Sequence, residues 1–195
     1  MTDLLSTATG FRERLLAGLT AALELREYHD VTIADIVGQA RTSKRTFYEY
    51  FESKQECFLA LVRENNDRRR AEVAEAVDAT ADRRVQVRQA IEALFGSVHE
   101  RPTVFLHSMR ALRSLGEEGH ELVRQDLAAF VDLLQTLSDT PELRAAGITP
   151  PSREASIVLV GGLRELIALS LEEGRDPATM VDAATEVTLA VLEPR

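Results

Sequence analysis

The chain is predicted to be all-α. Its strong hydrophobic periodicities are helical, and no alternating apolar and polar run bounded by turn residues reads as a strand. The composition is that of a globular protein: 45% of the 195 residues are apolar, with 10 glycines and 6 prolines, far from disordered or fibrous proportions. That length fits one ordinary domain or a small module joined to a larger one. The patterns that follow divide it into residues 1–55 and 56–195.

The first segment, about Gly10 to Tyr28, sets Phe11, Leu15, Leu19, Ala22 and Leu23 on one side and most of its charge elsewhere, which predicts an amphipathic helix. T-I-A-D follows. There the Thr32 hydroxyl can cap the backbone while Asp35 sits three residues on, the spacing of a capping box. The helix it opens is short: Ile33, Ile36, Val37 and Ala40 recur at i, i+3, i+4 and i+7, and the pattern then stops. Arg41 and Thr42 form a turn, Ser43 is placed to cap a further helix, and Phe47 and Phe51, four apart, share its inner face. Lys44, Arg45, Thr46 and Tyr48 then point outward. A second box, Ser53 to Glu56, opens another helix with Phe58, Leu61 and Val62 inward. Two short helices joined by a tight turn, the second displaying cations, hydroxyls and a tyrosine, have the form of a helix-turn-helix.

Charge supports that reading once it is divided along the chain. The net charge is -9, from 23 basic and 32 acidic side chains. Residues 1–70 hold 11 of each, so the whole excess of acid, 21 against 12, lies in residues 71–195. From residue 40 to 54 the balance is positive, with Arg41, Lys44, Arg45 and Lys54 against Glu49 and Glu52. Local sign decides, because screening confines phosphate attraction to roughly 8 Å in physiological salt. The only lysines of the chain, Lys44 and Lys54, both fall here. Thr32, Ser43 and Ser53 mark three helix N-termini close in sequence, and such amides together with Lys, Arg, Ser, Thr and Tyr side chains donate to phosphates. For any one of these residues alone, plain capping or solubility is the commoner role.

Other function classes find little support. One cysteine, Cys57, allows neither an internal disulfide framework nor a zinc site built on several thiolates, and it suits a reducing cytosol. The N-terminus has neither the pattern of a signal peptide nor that of a transit peptide. The longest apolar run, Ile157 to Leu163, is far shorter than the ~20 residues of a membrane span. No nucleophile, metal or nucleotide-binding motif is present, so no enzyme activity, metal or cofactor is expected. The competing reading is a helical carrier or enzyme whose N-terminal motif is only structural; a non-regulatory DNA-binding protein is a third.

The stretch TIADIVGQARTSKRTFYEYFESKQECF, from Thr32 to Phe58, resembles the DNA-binding signature of the TetR-like transcriptional repressors, and the similarity covers roughly residues 10–62. T-F-Y followed by Y-F and S-K, behind T-x-x-D-I, is what makes it specific. The resemblance implies DNA contacts by Thr32, Ser43, Lys44, Thr46, Tyr48, Tyr50 and Lys54, with Arg45 reading base edges and Phe47 and Phe51 as core. Arg41 and Thr42 of the turn join that set, Arg41 as a further phosphate contact. Glu27 and Arg41 stand where the family usually has glycine. Left-handed backbone at either costs about 1–2 kcal/mol, unless the turn takes another shape. Family behaviour further implies a homodimer on double-stranded operator DNA, released by a small molecule bound in a divergent C-terminal domain.

That C-terminal part is read from periodicity. Helical segments run from about Val85 to His99, Val104 to Leu115, His120 to Leu137, Arg153 to Glu173 and Ala178 to Leu192, punctuated by Pro102, the Pro141 to Pro151 region and Asp176-Pro177. Glu117-Glu118 reads as a solvated turn. Val123, Leu127, Phe130, Leu134 and Leu137 form a narrow seam. His99, Phe105, Met109 and Phe130 are the residues that could face a ligand cavity, although surface or ordinary core accounts for each singly. The segment from Ile157 to Leu171 is apolar all round and must be buried on more than one side. One side suits the domain's own core and the other a partner subunit. The resemblance implies a four-helix dimer interface from the last two helices, with Gly161, Gly162, Leu166 and Ile167 as its candidate contacts.

Overall fold

The computed structural model describes residues 2–145 and 149–192, and every regular element among them is helical. In chain order these are α1 (Thr2–Leu25), a 3-10 turn (Tyr28–Asp30), α2 (Ile33–Gln39), α3 (Lys44–Tyr50), α4 (Lys54–Ala76), α5 (Arg83–Gly96), α6 (Pro102–Ser114), α7 (Gly116–Ser138), α8 (Pro141–Ala145), α9 (Arg153–Glu172), a second 3-10 turn (Pro177–Met180) and α10 (Val181–Val191). The chain divides into two compact units: Met1–Asn65 with Thr103–Leu122, and Asn66–Pro102 with Val123–Arg195.

Three expectations change. The first helix begins at Thr2, eight residues before the amphipathic stretch, and ends at Leu25 rather than Tyr28. It ends because Glu27 is extended, with φ -62° and ψ 150°. That carries Tyr28 out of the helix and lays its ring 4.4 Å from that of Phe58. Glu117 and Glu118 are not a turn but the first turn of α7, where carboxylates complement the helix dipole. The Pro141 to Pro151 region is not all loop either, for Pro141–Ala145 forms α8, begun by Thr140 accepting from the Leu143 amide at 3.3 Å.

In the first unit Leu15, Leu19, Leu23, Ile36, Phe47 and Phe58 are fully enclosed. The packing of α1 on α2 is close because Gly18 has no side chain: a Cβ there would lie 2.6 Å from the Ile36 carbonyl oxygen. His107 of α6 reaches the last turn of α1, with Nδ1 2.8 Å from the Leu23 carbonyl oxygen and Nε2 3.2 Å from Glu27. Glu27 also takes Arg110 at 3.0 Å. The residue that breaks α1 therefore ties α6 to it.

In the second unit α5 packs on α10, and α9 turns Leu159, Leu163 and Ile167 inward. Arg70 of α4 pairs with Asp126 of α7 at 3.0 Å and lies over the Phe130 ring at 5.6 Å. Burial holds the Asp126 carboxyl above the usual carboxylate range against the pull of Arg69, Arg70 and Arg164.

Gly18→Ala tests the close approach. Because the obstructing atom is backbone rather than a flexible side chain, the variant is expected to lose about 1–3 kcal/mol of stability, measured by urea denaturation.

Candidate nucleic-acid interface

All three caps read from the sequence form. Thr32 Oγ1 accepts from the Asp35 amide at 3.2 Å and Asp35 Oδ2 accepts from the Thr32 amide at 2.8 Å, completing the box that starts α2. Ser43 Oγ accepts from the Thr46 amide at 3.1 Å and starts α3. At Ser53 the hydroxyl accepts from the Glu56 amide at 3.0 Å, while the Glu56 carboxylate reaches one residue further back, to the Glu52 amide.

Between α2 and α3 the chain turns on Arg41, whose φ is +50°, the one positive value of a non-glycine among the described residues. The turn is a Schellman motif, with the Arg41 amide donating to Gly38 O at 3.2 Å and the Thr42 amide to Val37 O at 3.0 Å. Side-chain help comes from α1. Arg14 Nη2 donates to Ala40 O and Arg41 O at 2.7 Å each, and its Nε to Ala40 O at 3.1 Å, so carbonyls left over at the end of α2 are satisfied. Of the two positions where the resemblance led us to expect glycine, Arg41 thus takes left-handed backbone and Glu27 avoids it.

The turn sets the face of α3. Phe47 and Phe51 are buried, while Lys44, Arg45 and Tyr48 are exposed and Thr46 and Tyr50 are half-buried. Lys44 makes no ion pair among the described residues. The Arg45 side chain is 91% exposed and meets Glu49 at only 3.4 Å. Tyr48 stands edge-on to Phe47, its centroid 5.5 Å away. This face can offer donors to phosphates and to base edges.

Other expected contacts are engaged within the protein. Lys54 Nζ donates to Tyr28 O at 2.9 Å and Val31 O at 2.7 Å and lies 4.3 Å above the Tyr28 ring. Burial pushes its pKa below the ordinary lysine value, with Asp30 opposing. Only its third N–H remains for a phosphate. The Thr32 hydroxyl also donates to Asp35 at 2.6 Å, and the Ser43 and Thr46 hydroxyls share a bond at 3.0 Å. Thr42 is half-buried and commits its amide to the turn. The sequence reading missed Arg14 and Gly18. Neither sits in a motif, and both matter only through atoms of α2 and the turn.

Residues 15–61 match the family model described as bacterial regulatory proteins, tetR family. The chain is 26% identical over 165 residues to the transcriptional activator FasR of Mycolicibacterium smegmatis, covering 84% of this chain and 70% of FasR. The helix-turn-helix of residues 15–61 is that of the tetR family of bacterial regulatory proteins. Two solved structures share the chain's fold. FadR, the fatty acid degradation regulator of Bacillus halodurans, superposes with a TM-score of 0.80 at 17% identity, covering 95% of this chain and 97% of that one. FadR of Bacillus subtilis, solved in complex with stearoyl-CoA, gives 0.78 at 16% identity, covering 93% and 99%. These relatives are transcriptional regulators with an N-terminal helix-turn-helix, and DNA binding is the activity that the family model carries. No helix among the described residues is long and apolar enough to cross a membrane.

The residues suggested for a ligand are divided between the two units. Phe105 and Met109 are buried in the first unit, whereas Phe130 lines a cavity of about 90 Å³ wholly within the second. The His99 side chain is 72% exposed and faces Asp176 at 3.8 Å. The cavity wall is drawn from α4, α5, α7, α8, α9 and α10, with Leu94, Leu134, Leu159 and Leu163 among its residues. Its hydroxyls are locally satisfied: Ser138 donates to Leu134 O and Thr188 to Ala184 O, both at 2.7 Å. Gln86 gives its amide to Ala79 O at 3.2 Å and Ala81 O at 2.7 Å.

On α9 the outer side is also apolar. Val158 is 74% exposed and Val187 of α10 58%, with Leu169 and Ile157 exposed as well. Gly161 and Gly162 lie on this side with open space around them, and Leu166 is half-buried. Ile167 differs: at 3% exposure it belongs to the subunit's own core.

Arg14→Ala leaves the carbonyls of the turn without their donors, and is expected to lower stability by about 1 kcal/mol and to weaken DNA binding, read by urea titration and by fluorescence anisotropy. Arg41→Gly removes the left-handed penalty and should raise stability by about 1 kcal/mol, visible as a higher urea midpoint with an unchanged slope.

Proposed function

We propose that this protein is a homodimeric, sequence-specific DNA-binding regulator that represses transcription from a pseudo-palindromic operator until a small apolar or amphipathic molecule enters its second unit. The observation that carries the reading is α3 itself: buried by Phe47 and Phe51, it presents Lys44, Arg45 and Tyr48 together on one exposed face after a closed turn. Arg45 is assigned to base edges, since a guanidinium can bridge guanine O6 and N7. Lys44, Tyr48, Tyr50 and Arg41 are assigned to the backbone. Thr32, Thr42, Ser43, Thr46 and Lys54 shape the surface and contribute the donors they have left. Functionally we draw the line at residues 1–55 for DNA and 56–195 for regulation and dimerisation, in a cytoplasmic protein.

The exposed apolar strip of α9 and α10 supports the dimer. One short recognition helix touches few bases, and a two-fold pair reads two half-sites about 34 Å apart. Val158, Leu169 and Val187 would lose their exposure there, and Gly161 with Gly162 would let the partner helix approach. The cavity of the second unit supports an apolar effector, and the acyl-CoA bound to the B. subtilis FadR of the same fold agrees with it. An effector shifts DNA affinity only through unequal binding to the two states. Helices α4 and α7 contribute residues to both units and are the elements assigned to that coupling. Repression is the sense proposed, although FasR is an activator by name.

Selection from random DNA is expected to return inverted repeats, and Arg45→Ala to change the preferred bases while Lys44→Ala weakens all sites alike. Enrichment of no sequence would overturn the reading. Gly162→Arg places a charge on the apolar strip; sedimentation should show helical monomers with no specific DNA binding, and a persistent dimer of full affinity would remove α9 from the interface.

A further inference from the structure

Among the described residues that line the cavity of the second unit, one carries a charge: Arg83. It is the first residue of α5, behind the N-cap Asp82, and is half-buried. Its neighbours in the chain have committed their charge. Asp82 accepts from the Val85 amide at 3.1 Å, and Arg84 pairs with Glu186. Among the described residues Arg83 instead makes a long bond, Nη1 to the Leu192 carbonyl oxygen at 3.4 Å, which uses one of the five N–H donors of its fork. Every polar neighbour on the wall has spent its donors on backbone carbonyls, as described for Gln86, Ser138 and Thr188. A guanidinium at the edge of an otherwise apolar cavity is best compensated by an anion that it can grip with two parallel bonds.

We infer that this cavity selects an anionic amphiphile, in its simplest form a medium-chain carboxylate, with the head on Arg83 and the chain directed along α5 toward Leu94 and Phe130. The inference rests on the proposed role of the cavity as the effector site and names the ligand class it takes. Size agrees with class. From Arg83 to Leu94 the wall follows α5 for about 16 Å along the helix axis, and 90 Å³ is room for several groups of water size at ~10–15 Å³ each. A space whose wall is apolar apart from Arg83, Gln86, Ser138 and Thr188 suits an alkyl chain. An anion at Arg83 also lies at the positive end of the α5 dipole, which adds to the guanidinium rather than opposing it.

Isothermal titration with decanoate and 1-decanol, two probes with the same chain and different heads, tests both levels. Wild-type protein is expected to bind decanoate roughly ten- to hundredfold more tightly than decanol, the range for a hydrogen bond to a charged group. Arg83→Gln should bring decanoate down to the level of decanol and leave decanol unchanged, and Arg83→Lys should keep part of the preference. Ala90→Phe, which fills the cavity from α5, should abolish both while circular dichroism shows an intact helical fold. Equal binding of the two probes, or a preference that survives Arg83→Gln, overturns the anionic head at Arg83 and leaves the cavity as an effector site. Binding of neither probe, or binding of both undisturbed by Ala90→Phe, overturns the cavity as well.

Discussion

The left-handed backbone at Arg41 is the constraint on which the exposed face of α3 depends. A residue with a Cβ gives up about 1–2 kcal/mol in that conformation. The two Schellman bonds and the three bonds from Arg14 offset it, because they satisfy carbonyls at the end of α2 and in the turn that would otherwise be left unpaired. With the turn closed, the Ser43 cap falls where α3 must begin, and Phe47 and Phe51 fall inward. Arg14 reaches the turn because Gly18, one helical turn further along α1, lets α2 approach to backbone contact. The exposed face of α3 is therefore held from behind by α1, through Arg14 and Gly18.

Polar groups in this unit divide between holding the fold and facing outward. Lys54, Thr32, Ser43 and Thr46 spend most of their hydrogen bonds internally. Lys44 and Tyr48 keep theirs for solvent or a ligand, and Arg45 gives only its Nε to Glu49, at 3.4 Å. The division concentrates positive charge on one short helix of a protein whose net charge is -9. Cys57, fully enclosed and with its thiol pushed up to about 12 by burial, belongs to the first group and has no reactive character.

In the second unit α9 serves two faces. Its inner residues Leu159 and Leu163 join the cavity wall and its outer strip is left apolar. The same helix thus stands between the space assigned to an effector and the surface assigned to a partner subunit. A change in how the wall packs changes the helix that carries the strip, since packed interiors do not deform continuously.

Much of this protein was legible in its sequence. The all-α class, the capping box at Thr32, the cap at Ser43 and the inward Phe47 and Phe51 rest on spacings of three and four residues, which local helix geometry enforces wherever the chain lies. Tertiary structure alone decided the rest, because it depends on atoms distant in sequence. Lys54 read as an outward cation until the carbonyls of Tyr28 and Val31, more than twenty residues away, claimed its ammonium. Phe105, Met109 and Phe130 are alike in sequence, and only packing sent the first two into one unit and the third to a cavity in the other. Ile167 and Gly162 sit five residues apart on a helix apolar all round, and only the neighbours of α9 separate the inward residue from the outward one. Arg83 carried no signal, since a single charge at a helix start acquires meaning only when the other walls around it are mostly apolar.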